Sequence, residues 1–302
     1  MSRPSTQRTA STNLSGGAGR RSLEGKLAII TGASRGIGAG IADNLASKGC
    51  SVVLNYTSES STQRANDLAA HLESKYSIRA LVVQADIGSA TGPAHIVATA
   101  KNNFSHPKTG AFRVDIVINN AGVAGNQPIE EVTSEEFHRQ YSVNVLGPLL
   151  LIQAVLPYLP TDRSGRIVNV TSVSSSLGFK LQSVYGGTKA ALEAMTRTWS
   201  RELAERATVN SVNPGPVKTD MYGSTDDAFR SNMTPFLLHT PLAGARTDLG
   251  DTTEQAETVK EWGGREARDD EIAGVVGMLC SPEAGWTTGG VVCANGGMIM
   301  HT

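Results

Sequence analysis

The chain alternates between short runs of aliphatic residues and longer segments with a helical pattern. Seven runs are almost continuous in Val, Ile, Leu or Ala, which is typical of strands covered on both faces. They are Lys26–Thr31, Ser51–Asn55, Arg79–Gln84, Val114–Asn119, Arg166–Val170, Thr208–Val212 and Gly290–Cys293. Strands that alternate with helices predict right-handed βαβ units and therefore a parallel sheet. We predict a single α/β domain built on a doubly wound parallel sheet of about seven strands.

Helices are predicted between these strands, at Ile37–Lys48, Ser61–Lys75, Ala94–Asn103, Val143–Leu159 and Val184–Glu205. The most apolar of them, Val143–Leu159, is interrupted by Asn, Gln and Pro. It is also shorter than the roughly 20 apolar residues that span a bilayer. We therefore predict a buried helix, and no membrane as a partner.

Two stretches do not fit the alternation. Residues 1–22 are rich in Ser, Thr, Gly and Arg and hold hardly any large apolar side chains. Such a segment cannot bury enough surface to offset its ordering entropy, which predicts a flexible tail before a folded domain at 23–302. Mitochondrial presequences share this Arg-rich, acid-free composition, but the tail lacks a clear apolar helical face. The second stretch, about 219–264, is long and rich in Thr, Asp and Gly, which predicts an extended loop that serves as a lid, a binding segment or a disordered insertion.

Charge and cysteine content exclude several functions. The formal net charge of −1 gives no overall field that would attract nucleic acid. The three cysteines are scattered, no CxxC pair occurs, and no histidine has metal-ligand spacing, so we predict neither a disulfide framework nor a metal site. This cysteine usage suits a reducing compartment, and we expect a cytoplasmic protein.

A glycine-rich turn, TGASRGIG, follows the first predicted strand at residues 31–38. Glycines let the backbone approach a pyrophosphate closely, and the following helix N-terminus supplies free N–H groups and partial positive charge. The spacing is GxxxGxG, not the GxGxxG of most dinucleotide folds. The turn predicts cofactor contacts from Gly32, Ser34, Arg35, Gly36, Ile37 and Gly38.

The end of the second strand favours NADPH over NADH. NAD sites commonly place an acid there to bind the ribose 2′-hydroxyl. This chain has Asn55, Tyr56 and Ser58, with no acid among them. A guanidinium binds phosphate bidentately, so Arg35 is the candidate for the 2′-phosphate, although exposed arginines are also common on surfaces. Asp86, after the third strand, is a candidate for the adenine amino group or, equally, a cap or turn residue.

Tyr185 and Lys189 stand four residues apart at the start of a predicted helix, which puts them on one face. A phenol ordinarily ionises near pH ~10. A neighbouring ammonium favours the phenolate, so the pair predicts an acid–base device with a lowered tyrosine pKa. The same spacing also arises by chance on helix surfaces.

Taken in order, five motifs resemble those of the short-chain dehydrogenase/reductase family in its single-domain, Rossmann-type form. They are TGASRGIG at 31–38, NNAG at 119–122, Asn144 in VNVLG, Ser172 thirteen residues before YGGTK, and PGPVKT at 214–219. The resemblance covers about residues 24–298. It implies NADP(H)-dependent interconversion of a small-molecule ketone and an alcohol, by a homodimer or homotetramer.

The resemblance also implies roles for the matched residues. Tyr185 would give the carbonyl oxygen its proton, or take it in the reverse direction, while Lys189 lowers the Tyr185 pKa and binds the nicotinamide ribose. Ser172 would donate to the substrate oxygen, and Asn144 would hold a water in a proton relay. Further cofactor contacts are implied for Asn119, Ala121, Gly122, Pro214, Gly215, Val217 and Thr219.

Two other classes of function would use the same cofactor site. One is an NADP-binding regulator or cyclisation scaffold without redox turnover, and the other is an isomerase or dehydratase. The presence of Ser172, Tyr185 and Lys189 favours the redox enzyme. About twenty extra residues separate Thr240-Pro241-Leu242 from Arg265 relative to the family pattern, so the resemblance does not predict the substrate.

Overall fold

A computed structural model describes residues 21–300 of the chain. Its seven-stranded parallel sheet has the order β3-β2-β1-β4-β5-β6-β7. The strands β1 to β7 are Leu27–Ile30, Ser51–Tyr56, Ala80–Gln84, Ile116–Asn119, Gly165–Val170, Ala207–Pro214 and Val291–Ala294. Each predicted run overlaps one strand, with limits that differ by up to two residues, and the predicted doubly wound sheet is confirmed.

Helices cover both faces of the sheet, since successive side chains of a strand point to opposite sides. Ala28 and Ile30 of β1 belong to one apolar cluster, and Leu27 and Ile29 belong to another. The helices α1 to α7 are Gly36–Ser47, Thr62–Tyr76, Gly92–Phe104, Ser134–Tyr141, Gly147–Val155, Ser174–Leu177 and Ser183–Glu202. The remaining helices, α8 to α11, are Asp220–Gly223, Asp227–Leu238, Thr253–Trp262 and Asp269–Leu279. Helices α1, α2 and α11 pack on the first cluster, and α3, α5 and α7 pack on the second.

The predicted helix Val143–Leu159 forms part of a longer helical stretch. A π-turn, Ser142–Leu146, joins α4 to α5, and a 3₁₀ turn, Leu156–Tyr158, ends the stretch. By length and composition, Ser134–Tyr158 is long and apolar enough to cross a membrane, with a mean hydropathy of 1.3. Its α5 part, however, places Leu151, Ile152 and Val155 in the core under the sheet. The α5 part of the stretch therefore serves as a core helix of the α/β layer.

The 219–264 segment contains three helices, so the prediction of an extended loop does not hold there. Its helices begin at strong caps: the Asp226 carboxylate accepts the Phe229 N–H, and Thr252 and Gln255 form a reciprocal capping box. The segment contributes Phe229, Met233, Leu237 and Ala243 to a third apolar cluster that also includes Val173 and Phe179.

Most of the predicted N-terminal tail lies outside the described residues. Of residues 1–22, only Arg21 and Ser22 are described. The Arg21 guanidinium donates to the Glu24 carboxylate at 2.7 Å and to the Tyr76 carbonyl. Flexibility of the tail stays a prediction.

Candidate active site

The active-site cleft opens along the carboxyl edge of the sheet, where the strand order reverses between β1 and β4. Ligands of open α/β sheets bind at such switch points. The cleft encloses a cavity of about 1080 Å³ that extends from the glycine turn to the 219–264 segment. Pockets for a single small molecule usually measure about 300–1,000 Å³, so this cavity suits a dinucleotide together with a small substrate.

The turn between β1 and α1 has the shape that a pyrophosphate requires. Gly32 and Gly36 have φ values of +63° and +53°, which favour glycine. A Cβ on Gly38 would lie 2.3 Å from the Gly32 carbonyl oxygen. Arg35 at the N-cap of α1 makes no side-chain capping bond, so that the first amides of the helix are free for an anion. The turn therefore fits the dinucleotide predicted from the sequence.

Asn120 holds this turn in place and was not among the predicted site residues. Its Nδ2 donates to the carbonyl oxygens of Thr31 at 2.9 Å and Gly32 at 3.0 Å. Asn120 also lines the cavity. The NNAG motif carried the signal, but only the tertiary structure shows which of its residues reaches the turn.

The ribose end of the cavity differs from the prediction at one position. Tyr56, Ser58 and Asp86 line it, but Asn55 does not. The buried Asn55 amide donates to the carbonyl oxygens of Val83 and Ala85, at 3.3 and 3.0 Å, and so ties β2 to β3. Its side chain is therefore not available as a phosphate donor.

Both alternatives considered for Asp86 find support. The residue lines the cavity, as the adenine-binding role requires. Its Oδ1 also accepts the Gly88 N–H at 2.9 Å, which is the bond of a turn residue. One carboxylate oxygen thus shapes the turn after β3.

Tyr185 and Lys189 lie together on α7 at the cavity wall, and Ser172 lies there two residues after the end of β5. The Lys189 Nζ is 5.6 Å from the centroid of the Tyr185 ring. The same Nζ donates to the Val170 carbonyl at 3.0 Å. The structure therefore brings together the three residues that the sequence assigned to acid–base chemistry and carbonyl binding.

The pKa of Tyr185 differs from the prediction. Burial raises the Tyr185 pKa to about 12, although a hydrogen bond with the Ser172 hydroxyl lowers that pKa in part. Burial also lowers the Lys189 pKa to about 8, and the nearby Glu193 carboxylate opposes that change. Desolvation of the phenolate outweighs the help expected from Lys189, whose ammonium is directed at a main-chain carbonyl. Tyr185 therefore holds its proton at neutral pH, and the lowered pKa predicted from the sequence is not found.

Asn144 lies in the π-turn, an irregularity frequent at functional sites. Its Oδ1 accepts the Val123 N–H at 2.9 Å, and its Nδ2 donates to the Val123 carbonyl at 2.8 Å and the Thr188 hydroxyl at 3.0 Å. Both N–H hydrogens of the side chain are thus used to join the loop after β4 to α7. Asn144 is not among the residues that line the cavity, and its role in a proton relay stays a prediction.

The remaining predicted cofactor residues fall into two groups. Asn119 is buried within the sheet, where its Nδ2 donates to Asn169 Oδ1 at 2.8 Å. A Cβ on Gly122 would lie 3.4 Å from both Asn144 Oδ1 and Lys189 Nζ, which places this glycine beside the acid–base pair. The other predicted residues that line the cavity are Gly32, Ser34, Arg35, Gly36, Ile37, Gly38, Ala121, Gly122, Pro214, Gly215, Val217 and Thr219.

A polar wall beside the reacting groups was not predicted. The Ser172 hydroxyl donates to Ser174 Oγ at 3.1 Å, and Ser174 donates to Gln182 Oε1 at 2.7 Å. Gln182 Nε2 then donates to Asn126 Oδ1 at 3.0 Å. The three residues Asn126, Ser174 and Gln182, here called the polar wall, line the cavity. Phe179, Phe229 and Met233 line it as well and provide apolar surface.

Comparison with known proteins identifies the family. A family model described as short chain dehydrogenase matches residues 26–229. The chain belongs to the short-chain dehydrogenase/reductase family. It is 51% identical over 293 residues to the L-xylulose reductase of Aspergillus niger, covering 92% of this chain and 98% of that protein. It is 50% identical over 299 residues to the L-xylo-3-hexulose reductase of Hypocrea jecorina, covering 93% and 98%.

Solved structures of the family agree with the fold and the cofactor. A blue fluorescent protein from a metagenomic library, in complex with NADPH, is 31% identical, with a TM-score of 0.76, and the match covers 92% of this chain and all of that one. The angucycline C-6 ketoreductase LanV with bound NADP is 32% identical, with a TM-score of 0.76 and coverages of 92% and 96%. This short-chain dehydrogenase/reductase is an NADPH-dependent oxidoreductase that reduces a ketone, and the non-redox alternatives are not favoured.

Proposed function

We propose that this reductase converts an open-chain ketose into the corresponding polyol. The polar wall is the observation that carries the proposal. Three successive hydrogen bonds connect the Ser172 hydroxyl to Asn126 by way of Ser174 and Gln182. A few placed polar groups in a pocket fix the orientation of a ligand, and a ketose has hydroxyls on the carbons next to its carbonyl. The names of the Aspergillus niger and Hypocrea jecorina relatives also refer to keto sugars.

The residue roles follow from the positions of the side chains. Tyr185 donates the proton to the ketone oxygen, since its phenol lies at the cavity wall and is protonated at neutral pH. The Ser172 hydroxyl turns from Ser174 toward the same oxygen, where negative charge develops. Lys189 binds the nicotinamide ribose, and Asn144 positions α7 through Thr188. NADPH, when bound, supplies the hydride.

The cofactor contacts come from both sides of the cleft. We assign the pyrophosphate to the turn Gly32–Gly38, the adenosine end to Arg35, Tyr56, Ser58 and Asp86, and the nicotinamide end to Pro214, Gly215, Val217 and Thr219. Apart from the buried Ala33, all of these residues line one continuous cavity. We further propose that the enzyme acts in the cytoplasm and that it forms a homodimer or homotetramer. Light scattering of the purified chain would test the oligomeric state.

A panel of ketones tests the substrate class. The purified chain is mixed with NADPH and with L-xylulose, L-xylo-3-hexulose, cyclohexanone or an aromatic ketone, and both NADPH loss and the alcohol product are measured. We expect kcat/KM for a ketose to exceed that for the aromatic ketone by at least roughly tenfold, about 1.4 kcal/mol. Preference for the aromatic ketone would overturn the proposal.

Variants of the polar wall provide the matched control. Gln182→Leu removes the central residue of the wall, so KM for the ketose is expected to rise about tenfold, since one good hydrogen bond contributes about 0.5–1.5 kcal/mol. Turnover of cyclohexanone, which has no hydroxyl for the wall to bind, should change less than about twofold. Equal losses with both ketones would show that Gln182 supports the site without recognising hydroxyls.

A further inference from the structure

Two arginines from different elements converge on one carboxylate oxygen at the rim of the cleft. The Nε of Arg35, in the glycine turn, lies 3.5 Å from Asp220 Oδ2. The Nη1 of Arg64, on α2, lies 3.2 Å from the same oxygen. Asp220 is the first residue of α8, at the beginning of the 219–264 segment. The three side chains form a small anion site in which a carboxylate is the anion.

This anion site lies at the ribose end of the cavity. Arg35 and Asp220 line the cavity, and Ser58 and Ser61 line it beside α2. Arg64 follows Ser61 by three residues, in the first turn of α2. The second strand ends without an acid in this region, so neither Tyr56 nor Ser58 would repel a phosphate. The neighbouring cation Lys218 is engaged elsewhere, with Glu254 at 2.6 Å.

The two ion pairs of Asp220 are also exposed enough for another anion to replace its carboxylate. The side chains of Arg35, Arg64 and Asp220 are 54%, 59% and 61% exposed. Ion pairs this exposed contribute little stability, typically less than about 1 kcal/mol, so a stronger anion can replace the carboxylate at small cost. A phosphate monoester has three acceptor oxygens and carries about −1.5 to −2 charges near neutral pH.

We propose that Arg64 is a second residue that binds the 2′-phosphate of NADPH, and that the phosphate displaces Asp220 from both arginines. NADH has no phosphate at this position and leaves the two ion pairs in place. The start of the 219–264 segment is thereby coupled to the identity of the cofactor. The inference rests on NADPH use by this enzyme and does not depend on the ketose substrate.

Cofactor binding without substrate tests the first part. Dissociation constants for NADPH and NADH are measured by calorimetry on the wild type and on Arg64→Ala, Arg64→Lys and Lys75→Ala. We expect Arg64→Ala to weaken NADPH binding about tenfold and NADH binding less than about twofold, with partial recovery in Arg64→Lys. Lys75→Ala removes another cation of α2, paired with Asp43, and should change neither constant. Equal weakening of both cofactors, or no change, would overturn the assignment of Arg64.

The sign of the effect of Asp220→Asn tests the displacement. If the carboxylate competes with the phosphate, this variant binds NADPH about threefold more tightly and binds NADH as before. If Asp220 instead holds the arginines ready for the cofactor, NADPH binding weakens, and the displacement is refuted. Hydrogen exchange of residues 220–223 should also be faster with saturating NADPH than with saturating NADH. Equal exchange with both cofactors would refute the coupling to the 219–264 segment.

Discussion

The carboxylate of Glu193 accepts the hydroxyl hydrogen of Thr171, 2.9 Å away. The same oxygen accepts the Ser175 hydroxyl at 2.8 Å. Thr171 and Ser175 lie on either side of Ser172 along the chain, whereas Glu193 lies on α7 with Tyr185 and Lys189. One buried acid therefore fixes the segment of the carbonyl-binding serine against the helix of the proton donor.

Substitution of Glu193 should separate this positioning role from its charge. Glu193→Ala removes the acceptor that links both hydroxyls to α7, while Thr171 keeps the Val212 carbonyl at 3.0 Å and Ser175 keeps the Ser172 carbonyl at 2.8 Å. We expect a loss of about 1 kcal/mol in unfolding free energy and a clear fall in kcat. Glu193→Gln keeps an acceptor oxygen of the same shape and should recover most of both. Because the carboxylate raises the Lys189 pKa, the Gln variant should also shift the alkaline limb of the kcat profile to lower pH. A Gln variant with the full Ala defect and an unmoved profile would contradict the positioning role.

Replacement of Tyr185 by Phe removes the proton donor and leaves the ring in place. We expect kcat to fall by roughly 10²–10⁴, because only the proton transfer is lost. The dissociation constant of NADPH should change less than about twofold, since the cofactor cradle is built by other residues. Near-normal turnover of the ketone by this variant would exclude Tyr185 as the donor.

Lys189 should make stability depend on pH in the alkaline range. Its folded pKa, about 8, lies below the ordinary value of 10.5, so between these values the unfolded chain binds more protons than the folded one. The cost of keeping this 3% exposed ammonium charged is therefore fully present below about pH 8 and is relieved as the pH rises toward 10. It amounts to about 3 kcal/mol at most.

The measurement compares the wild type with Lys189→Met by urea unfolding at several pH values. The unfolding free energy of the wild type should rise relative to that of the variant between pH 8 and 10. The Tyr185 pKa of about 12 has the opposite effect only above pH 10, where the unfolded phenol ionises first. A constant difference between the two proteins over this range would contradict the lowered Lys189 pKa.

Gly38→Ala should disrupt the cofactor cradle, because the added Cβ would lie 2.3 Å from the Gly32 carbonyl oxygen. We expect a loss of about 1–3 kcal/mol in stability and at least a roughly tenfold weaker NADPH complex. Gly274→Ala is the matched control, since this helical glycine of α11 has no other atom within 4 Å of the added Cβ. It should be neutral or stabilise the protein by up to about 1 kcal/mol. Equal NADPH affinities of both variants would argue against the cradle.

The sequence predicted the sheet well because burial on both faces leaves a simple pattern. Most strands are runs of aliphatic residues bounded by polar ones, whereas β6 also buries Thr208, Asn210, Ser211 and Asn213. The helix α4 and the helices of the 219–264 segment were missed because they are short or polar. Their caps at Thr133, Asp226 and Thr252 were the available signals.

The positions of the site residues could be predicted where a sequence motif fixes the backbone. They could be predicted less well where tertiary contacts decide which side chain faces the cavity. The glycine turn and the Tyr185–Lys189 spacing predicted the correct neighbours. Adjacent strand residues face opposite sides of a sheet, and the sequence alone did not tell whether Asn55 or Tyr56 faces the cofactor. The importance of Gln182 depends on contacts with Ser174 and Asn126, which are 8 and 56 residues away. The Tyr185 pKa depends on desolvation, which spacing does not reveal.

In the π-turn at Ser142–Leu146, the number of residues matters as much as their identity for the direction of the Asn144 side chain. A π-turn holds one more residue than a regular α-helical path, and each residue of an α-helix advances by about 100°. Deletion of a single residue before Asn144 would restore a smooth helix and swing that amide away from Val123 and Thr188. A homologue that keeps every motif but has one residue fewer in this turn would therefore lose the hydrogen bonds by which Asn144 joins the loop after β4 to α7.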